Sequence, residues 1–456
     1  MNSNTKIRQF FKMTPAKVIL FGFAALILIG AFLLCLPISN TEGKWIPFVD
    51  AAFTATTSVC VTGLMVFDIA AELNLFGQIV VLFLIQFGGL GFVTMTALVF
   101  MIIGKKINYQ ARITLQEALN KDDNEGVVKT VKRVVLITLI CEFVGFLAIL
   151  PPMINFTNSV GQGIFKSIFL SISAFCNAGI DSLGTLTPEF SNLMVFNSNP
   201  FILIPVMFLI VMGGIGFIVP LDIIETKTTN KKLIIHTKIV LIMTLVLVVG
   251  GAVTILACEW NNMATIGGMS VGDKIMNSFF QSITTRTAGF CTFDQSQMTQ
   301  ISLMVSELLM FIGGSPMSIA GGIKTTTFFL LLLLVFRNQD QNGNIIFNNR
   351  KISNKVLTKA VRIAIIMVSL LIVGSILIFI FESSAVSLDA IIYEVLSAIC
   401  TVGLSFGITP LLSVGSKIVL ILLMYVGRIG MLTIPLAFKS KDTAAIEYVN
   451  AKIIVG

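Results

Sequence analysis

The chain has 456 residues, of which 55% are hydrophobic and only 12% are charged, about half of the charged fraction that is usual in soluble domains. Its formal net charge is +8, with 31 basic and 23 acidic residues. Apolar runs of about 18 or more residues recur, and each crosses a hydrocarbon core of about 30 Å, so the composition excludes a soluble globular protein and indicates a polytopic membrane protein.

One pattern of predicted elements occurs four times in chain order: a long apolar helix, a short helix, a segment centred on a glycine, and a second long helix. The predicted helices are 16–37, 47–59 and 74–103 in the first unit, 130–154, 162–175 and 200–224 in the second, 237–258, 272–284 and 301–336 in the third, and 359–381, 388–399 and 415–438 in the fourth. The units are residues 1–103, 104–224, 225–336 and 337–456.

The four glycine-centred segments are spaced by about 110 to 116 residues, which favours four fused copies of one unit. Glycine admits positive φ, so the backbone can turn its carbonyl groups toward a common axis. A ring of carbonyl oxygens is one way in which proteins hold a dehydrated cation. The predicted carbonyl ligands are Val61, Thr62, Gly63, Asn177, Ala178, Gly179, Thr287, Ala288, Gly289, Thr401, Val402 and Gly403.

The short helices are too short to span a membrane and too apolar for external loops. Non-helical backbone is tolerated at membrane depth where it lines a water-filled cavity, so we interpret these helices as re-entrant. The alternative is a set of interfacial helices packed over an ordinary bundle. Four occurrences in register favour an all-α polytopic membrane protein of four helix–pore-loop–helix repeats, with eight transmembrane helices and four re-entrant half-helices around one central pore.

Basic residues cluster at the N-terminus and in 105–133, 227–238, 337–362 and 439–452, whereas the segments that carry the glycines are sparse in them. This asymmetry follows the positive-inside rule and predicts that both termini are cytoplasmic and that the four glycines lie near the outer face. The basic excess is therefore interpreted as a topology signal, and no nucleic-acid partner is expected.

A second glycine cluster lies in the last helix of each unit, where small residues allow close helix packing. In the third unit, the segment from Gly313 to Gly322 interrupts a run that reaches Phe336, and Pro316 removes a helical hydrogen bond there. This pattern predicts a broken helix, although a packed kink is the alternative. Arg428 lies deep in an apolar helix, where a cation usually faces a cavity or the protein interior.

Three residue positions beside each glycine show further regularity. Thr62, Asn177, Thr287 and Thr401 lie one or two residues before a glycine, where they are expected to brace the strand. The residue three before the glycine is cysteine in three units and Arg286 in the third. Small buried side chains are the expected role for these cysteines, because the seven scattered cysteines form no metal-binding or disulfide pattern.

These features resemble the membrane subunit of the Trk/Ktr/HKT superfamily of potassium transporters, and most closely its KtrB branch. The similar residues are the four loops, the stretch 286–290, the stretch 313–326, and Gly427-Arg428-Ile429-Gly430. The resemblance implies potassium uptake across the plasma membrane, with an intramembrane gating loop at 313–324 below the filter. The implied gate residues are Gly313, Gly314, Ser315, Pro316, Gly321, Gly322, Lys324 and Arg428.

The resemblance also implies a homodimer, bathed in membrane lipid, with a cytosolic KtrA-like nucleotide-binding regulatory ring. No phosphate-binding glycine fingerprint follows a strand, so no cofactor is expected in this chain. The resemblance implies that K⁺ is the transported ion and that the regulatory partner binds the nucleotide. Gly63 favours potassium, because serine at that place accompanies sodium selectivity in some relatives. Met317 and Ile319 depart from the smaller or more polar residues expected in the gating loop.

Three alternatives remain open at this point. The same fold could carry sodium or select poorly among monovalent cations. A secondary transporter of another solute would favour two-fold repeats, whereas four units of one orientation oppose it. An enzyme would need clustered catalytic groups, which a chain with a single histidine, His236, does not offer.

Overall fold

The computed structural model describes residues 14–91, 94, 97, 113, 126–229, 232–336, 345–348, 350–382 and 386–430, and these residues are mostly helical. The predicted basic clusters at the N-terminus and at 439–452 lie outside them. The described part of the first unit contains α1 (Pro15–Cys35), α2 (Phe48–Cys60), α3 (Ile69–Glu72) and α4 (Leu75–Leu90).

The other units follow the same order. The second contains α5 (Val127–Thr157), α6 (Val160–Phe175), α7 (Pro200–Gly214) and α8 (Ile218–Thr229); the third contains α9 (Ile235–Glu259), α10 (Val271–Thr284), α11 (Gln300–Phe311) and α12 (Thr325–Phe336); the fourth contains α13 (Asn354–Glu382), α14 (Leu388–Ile399) and α15 (Val414–Ile429). Short 3-10 turns lie at Pro37–Ser39, Met194–Phe196, Gln295–Gln297 and Thr409–Leu411.

A small antiparallel hairpin connects the third and fourth units. It consists of β1 (Ile345–Phe347) and β2 (Arg350–Ile352), with Ile345 opposite Ile352. The Phe347 ring packs edge-on against Phe329 of α12 at a centroid distance of 5.1 Å. The hairpin is therefore attached to the helix that follows the predicted gating loop.

The first helix of every unit is long enough to cross a membrane. Within the described residues, α1, α5, α9 and α13 are long and apolar enough to cross, and α7 with α8 forms a pair bent by 88°. The prediction of one continuous helix over 200–224 is therefore wrong: Gly216 has φ 91° and breaks it. The helices α4, α6, α11 and α12 are shorter apolar helices, and the number of eight transmembrane helices stays a prediction.

The short helices α2, α6, α10 and α14 lie at the centre of the molecule. Each of them carries a fully buried aromatic side chain: Phe53, Phe169, Phe280 and Tyr393, respectively. The long helices instead expose large apolar side chains, such as Phe32, Phe143, Leu245 and Ile380, as expected for surfaces facing lipid. Central burial favours the re-entrant interpretation over interfacial helices.

Candidate functional site: a glycine ring and an interrupted helix

The four short helices end in the same backbone conformation. The residue two before each glycine is left-handed, with φ of 55° at Val61, 55° at Asn177, 71° at Thr287 and 50° at Thr401. The glycines that follow also have positive φ, from 65° to 106°. A non-glycine residue rarely adopts this region, so its occurrence at four equivalent positions shows that the backbone path is shared.

The glycines meet in a closed ring. Each glycine faces the carbonyl oxygen of the residue before the glycine of the next unit, and the fourth unit faces the first. A Cβ added to the glycine would lie 2.6 Å from the Ala178 oxygen at Gly63, 2.8 Å from the Ala288 oxygen at Gly179 and 2.5 Å from the Val402 oxygen at Gly289, and it would collide with the Thr62 oxygen at Gly403. The ring has no room for a side chain at any of the four positions.

Helix polarity adds to the character of the ring. Each short helix leads into its glycine strand through its C-terminal end, where the helix dipole is partly negative. The first turns of three of them carry Asp50, Asp273 and Asp389, which match the positive N-terminal ends. The ring thus combines carbonyl oxygens with negative helix ends, an environment that favours a cation.

The strands are braced by hydroxyl groups of the short helices. Thr57 Oγ1 accepts from the Gly63 amide at 2.9 Å, and Ser397 Oγ accepts from the Gly403 amide at 3.0 Å. Ser173 Oγ donates to the Ile180 carbonyl at 2.5 Å, and Thr284 Oγ1 donates to the Phe290 carbonyl at 2.6 Å.

The expectation that threonines beside the glycines brace the strands is therefore corrected. The hydroxyls of Thr62, Thr287 and Thr401 are buried and have no hydrogen-bond partner within the described part of the chain. The sequence does contain a pattern that marks the bracing residues: a serine or threonine lies five or six residues before each glycine, on the buried face of the preceding helix.

The second glycine clusters pack against the ends of the short helices. A Cβ on Gly88, Gly213 or Gly427 would collide with the carbonyl oxygen four residues before the ring glycine, at Val59, Phe175 and Ile399 respectively. In the third unit, Gly313 instead faces the Gly321 carbonyl. The third unit therefore departs from the shared packing at the place where its helix is interrupted.

The interruption runs from the end of α11 at Phe311 to the start of α12 at Thr325, where the sequence predicts a break. This loop is bound to the second unit: the Ser315 amide donates to the Gly214 carbonyl at 2.9 Å, and the Ile319 amide donates to the Gly213 carbonyl at 3.2 Å. A Cβ on Gly321 would collide with the Cys400 carbonyl oxygen, so the loop lies directly against the ring.

Three cations contact carbonyl groups around this loop. Arg428 Nη1 donates to the Ile319 carbonyl, and Arg428 Nη2 donates to the Gly88 carbonyl and, at 3.1 Å, to that of Gly89. Lys324 Nζ donates to the Ala320 carbonyl within the loop. On the other side, Arg286 Nη2 donates to the Gly313 carbonyl at 3.3 Å. Arg428 thus ties the loop to the first unit, and Arg286 joins it to the third glycine strand.

Two residues of the loop between α6 and α7 were not found by sequence reasoning. The Asp181 carboxyl is buried, and this desolvation raises its pKa to about 6, although the Leu183 amide donates to it at 2.7 Å. Asn192, also buried, contacts the second glycine strand. A lone loop asparagine gives no periodic signal, whereas its left-handed φ of 48° is visible only in the structure.

Comparison with known proteins agrees with this architecture. Residues 8–446 match the family TrkH, described as a cation transport protein. The chain is 36% identical to Ktr system potassium uptake protein B of Bacillus subtilis, covering 99% of both chains, and 35% identical to Potassium/sodium uptake protein NtpJ of Enterococcus hirae, covering 98% of both. Its fold is similar to the crystal structure of the potassium transporter TrkH from Vibrio parahaemolyticus, with a TM-score of 0.71 at 17% identity over 92% of this chain and 84% of that one.

Proposed function

Because the chain belongs to the TrkH family of cation transport proteins, we propose that it takes up K⁺ across the plasma membrane through the glycine ring. The family and the relatives named above are transporters, so the chain is a multi-pass membrane transporter and not an enzyme. The observation that carries the proposal is the closed contact of the four glycines with the carbonyl oxygens of their neighbours.

A carbonyl ring suits a potassium ion for a physical reason. Several partial negative charges replace the water shell without a full countercharge, so the ion can also leave. In the proposed site the backbone carbonyls of the twelve filter residues named from the sequence supply these ligands. The fixed left-handed turns at Val61, Asn177, Thr287 and Thr401 support a constant geometry.

We propose that the loop at 313–324 is the gate. It lies against the ring at Gly321, and its carbonyls accept hydrogen bonds from Arg286 and Arg428. The Ser315 and Ile319 amides of the loop donate to the Gly214 and Gly213 carbonyls, and these bonds hold its near side. Opening would break contacts to three units, while the glycines of the loop supply the backbone freedom that such a movement needs.

Regulation and assembly belong to the same proposal. A homodimer with cytoplasmic termini would present its basic loops to a KtrA-like nucleotide-binding ring, which would carry the nucleotide, and sodium would stimulate uptake. The hairpin β1–β2 supports a mechanical route, because Phe347 packs on Phe329 of α12, the helix that leaves the gating loop.

A second candidate is a transporter of sodium as well as potassium. It is favoured by the 35% identity to a relative named as a potassium/sodium uptake protein. The unequal side chains around the ring, with valine beside Gly403 and threonine beside Gly63, also make the ion sites asymmetric.

Rubidium uptake into cells that lack their own potassium import tests the proposal, with the regulatory partner co-expressed. Gly63→Ala should abolish uptake, because Gly63 has φ 106° and faces the Ala178 oxygen. Gly43→Ala is the matched control: Gly43 has φ 67° but nothing within 4 Å of an added Cβ. Absence of rubidium uptake by the wild type, with the partner supplied, would contradict the proposal.

A further inference from the structure

Asn192 reaches from the loop between α6 and α7 to the glycine ring. Its Nδ2 donates to the Gly179 carbonyl at 3.0 Å. Its Oδ1 accepts from the Cys291 amide at 3.3 Å and from the Leu193 amide at 2.9 Å. Two N–H groups facing Oδ1 fix the orientation of the amide, so the assignment of its oxygen and nitrogen is determined by the network.

This side chain joins two neighbouring units. Gly179 belongs to the second glycine strand, and Cys291 follows the third ring glycine by two residues. The Leu193 amide also donates to the Cys291 carbonyl at 3.2 Å, so backbone and side chain cross the same boundary. Asn192 is 5% exposed and adopts φ 48°, a conformation that asparagine tolerates better than most residues.

The hydrogen bond from Asn192 distinguishes the Gly179 carbonyl from those of the other three ring glycines. Within the described residues, the carbonyl oxygens of Gly63, Gly289 and Gly403 accept no hydrogen bond, whereas that of Gly179 accepts one from Asn192. A carbonyl held by a donor moves less than an unrestrained one. Contraction of the ring around an ion smaller than K⁺ requires that its carbonyls move inward, so a held carbonyl opposes that contraction.

We propose that Asn192 is a positioning residue that raises the preference for K⁺ over Na⁺ by restraining the Gly179 carbonyl. This inference rests on the proposed function, since it concerns the same ring. Loss of one neutral hydrogen bond changes an equilibrium by roughly 2- to 10-fold, and this is the expected size of the change in preference.

Two variants of Asn192 separate the effect of losing the hydrogen-bond donor from the effect of adding a negative charge. Asn192→Asp keeps an oxygen for the Cys291 and Leu193 amides but loses the donor to Gly179, and it adds a negative charge. Asn192→Leu has a similar volume and loses every hydrogen bond without a charge. Asn158→Asp is the matched control, because Asn158 is an exposed asparagine with nearly the same backbone, φ 51°.

The readout is the inhibition constant for Na⁺ divided by the Michaelis constant for Rb⁺, measured in the uptake assay with the regulatory partner at Na⁺ concentrations above those that saturate the proposed stimulation. Both Asn192 variants should lower this ratio by about 2- to 10-fold, and Asn158→Asp should leave it at the wild-type value. A ratio unchanged in both variants, or lowered in the aspartate variant alone, would overturn the inference.

A second measurement does not depend on transport. The thermal midpoint of the purified protein in detergent is compared in KCl and NaCl, and the stabilisation by K⁺ over Na⁺ should shrink in Asn192→Asp. Equal K⁺-specific stabilisation in the variant and the wild type would overturn the inference. A wild type that transports no Rb⁺ would instead contradict the proposed function, so the two failures are distinguishable.

Discussion

Ser397 Oγ accepts a hydrogen bond from the Gly403 amide at 3.0 Å, so the short helix of the fourth unit holds its own glycine strand. The Ser397 carbonyl also accepts from the Val402 amide, at 2.8 Å. One helical residue thus binds two consecutive amides of the strand. Thr57 does the same in the first unit, where its hydroxyl accepts from Gly63 and its carbonyl accepts from Thr62.

Ser397→Ala should therefore destabilise the ring, because the Gly403 amide would be left buried without a partner. Such a loss costs about 1 to 3 kcal/mol. The measurement is the thermal midpoint in detergent with K⁺ present. Ser369→Ala is the control, since Ser369 donates to the Ile365 carbonyl on an exposed helix face. Equal midpoints for the two variants would show that the brace contributes nothing.

Gly213→Ala should destabilise the protein by about 1 to 3 kcal/mol, because the added methyl group would collide with the Phe175 carbonyl. Gly250→Ala is a matched change, as Gly250 also lies in a helix but has nothing within 4 Å of an added Cβ. Alanine favours helix over glycine, so this control should be neutral or slightly stabilising. Thermal unfolding of both variants in the same detergent checks the difference, and equal destabilisation would refute the packing argument.

Arg428→Ala should raise uptake in the absence of the regulatory partner, because the Ile319 carbonyl loses its charged donor. Hydrogen bonds to charged groups contribute about 1.5 to 3 kcal/mol each, so the closed state should be weakened by roughly 10-fold or more. Tyr425→Phe serves as the control: one turn earlier, its hydroxyl donates to the Leu20 carbonyl, away from the loop. Partner-independent uptake that does not exceed the control would contradict a closing role for Arg428.

Asp181→Asn should stabilise the protein more at pH 8 than at pH 5. Burial raises the pKa of Asp181 to about 6 from its ordinary 3.8; nearby Asp68 also raises this pKa, while Lys166 lowers it. The folded state therefore binds the proton more tightly than the unfolded state, and stability falls as pH rises from about 4 to 6. The variant removes this loss, at most about 3 kcal/mol. Thermal midpoints at both pH values measure it, and an equal gain at both would contradict the prediction.

Periodicity explains what the sequence could predict. The bounds of α2, α6, α10 and α14 follow within about two residues from short apolar runs placed before a repeated glycine. The break between Phe311 and Thr325 was predictable because proline and paired glycines interrupt an apolar run. The short helices were predictable because their pattern occurs four times, and the break was predictable because several helix-breaking residues lie close together.

Other features depend on contacts between distant segments. The bend after Gly214 was missed because Gly213-Gly214-Ile215-Gly216 reads equally well as close helix packing. The bracing role of Thr57 and Ser397 needs the path of the strand, and Asn192 needs the contact with Cys291, 99 residues away. No local pattern specifies such a partner.

Fusion of the four glycine strands into one polypeptide determines how the ring can evolve. In a channel assembled from four identical chains, one codon change alters every side of the filter at once. Here each codon alters one unit, so a residue such as Asn192 acts at the boundary between the second and third units and leaves the first and fourth glycine strands unchanged. In the proposed filter, natural selection can therefore change ion preference one unit at a time, and a mildly harmful substitution in one unit can be compensated in another.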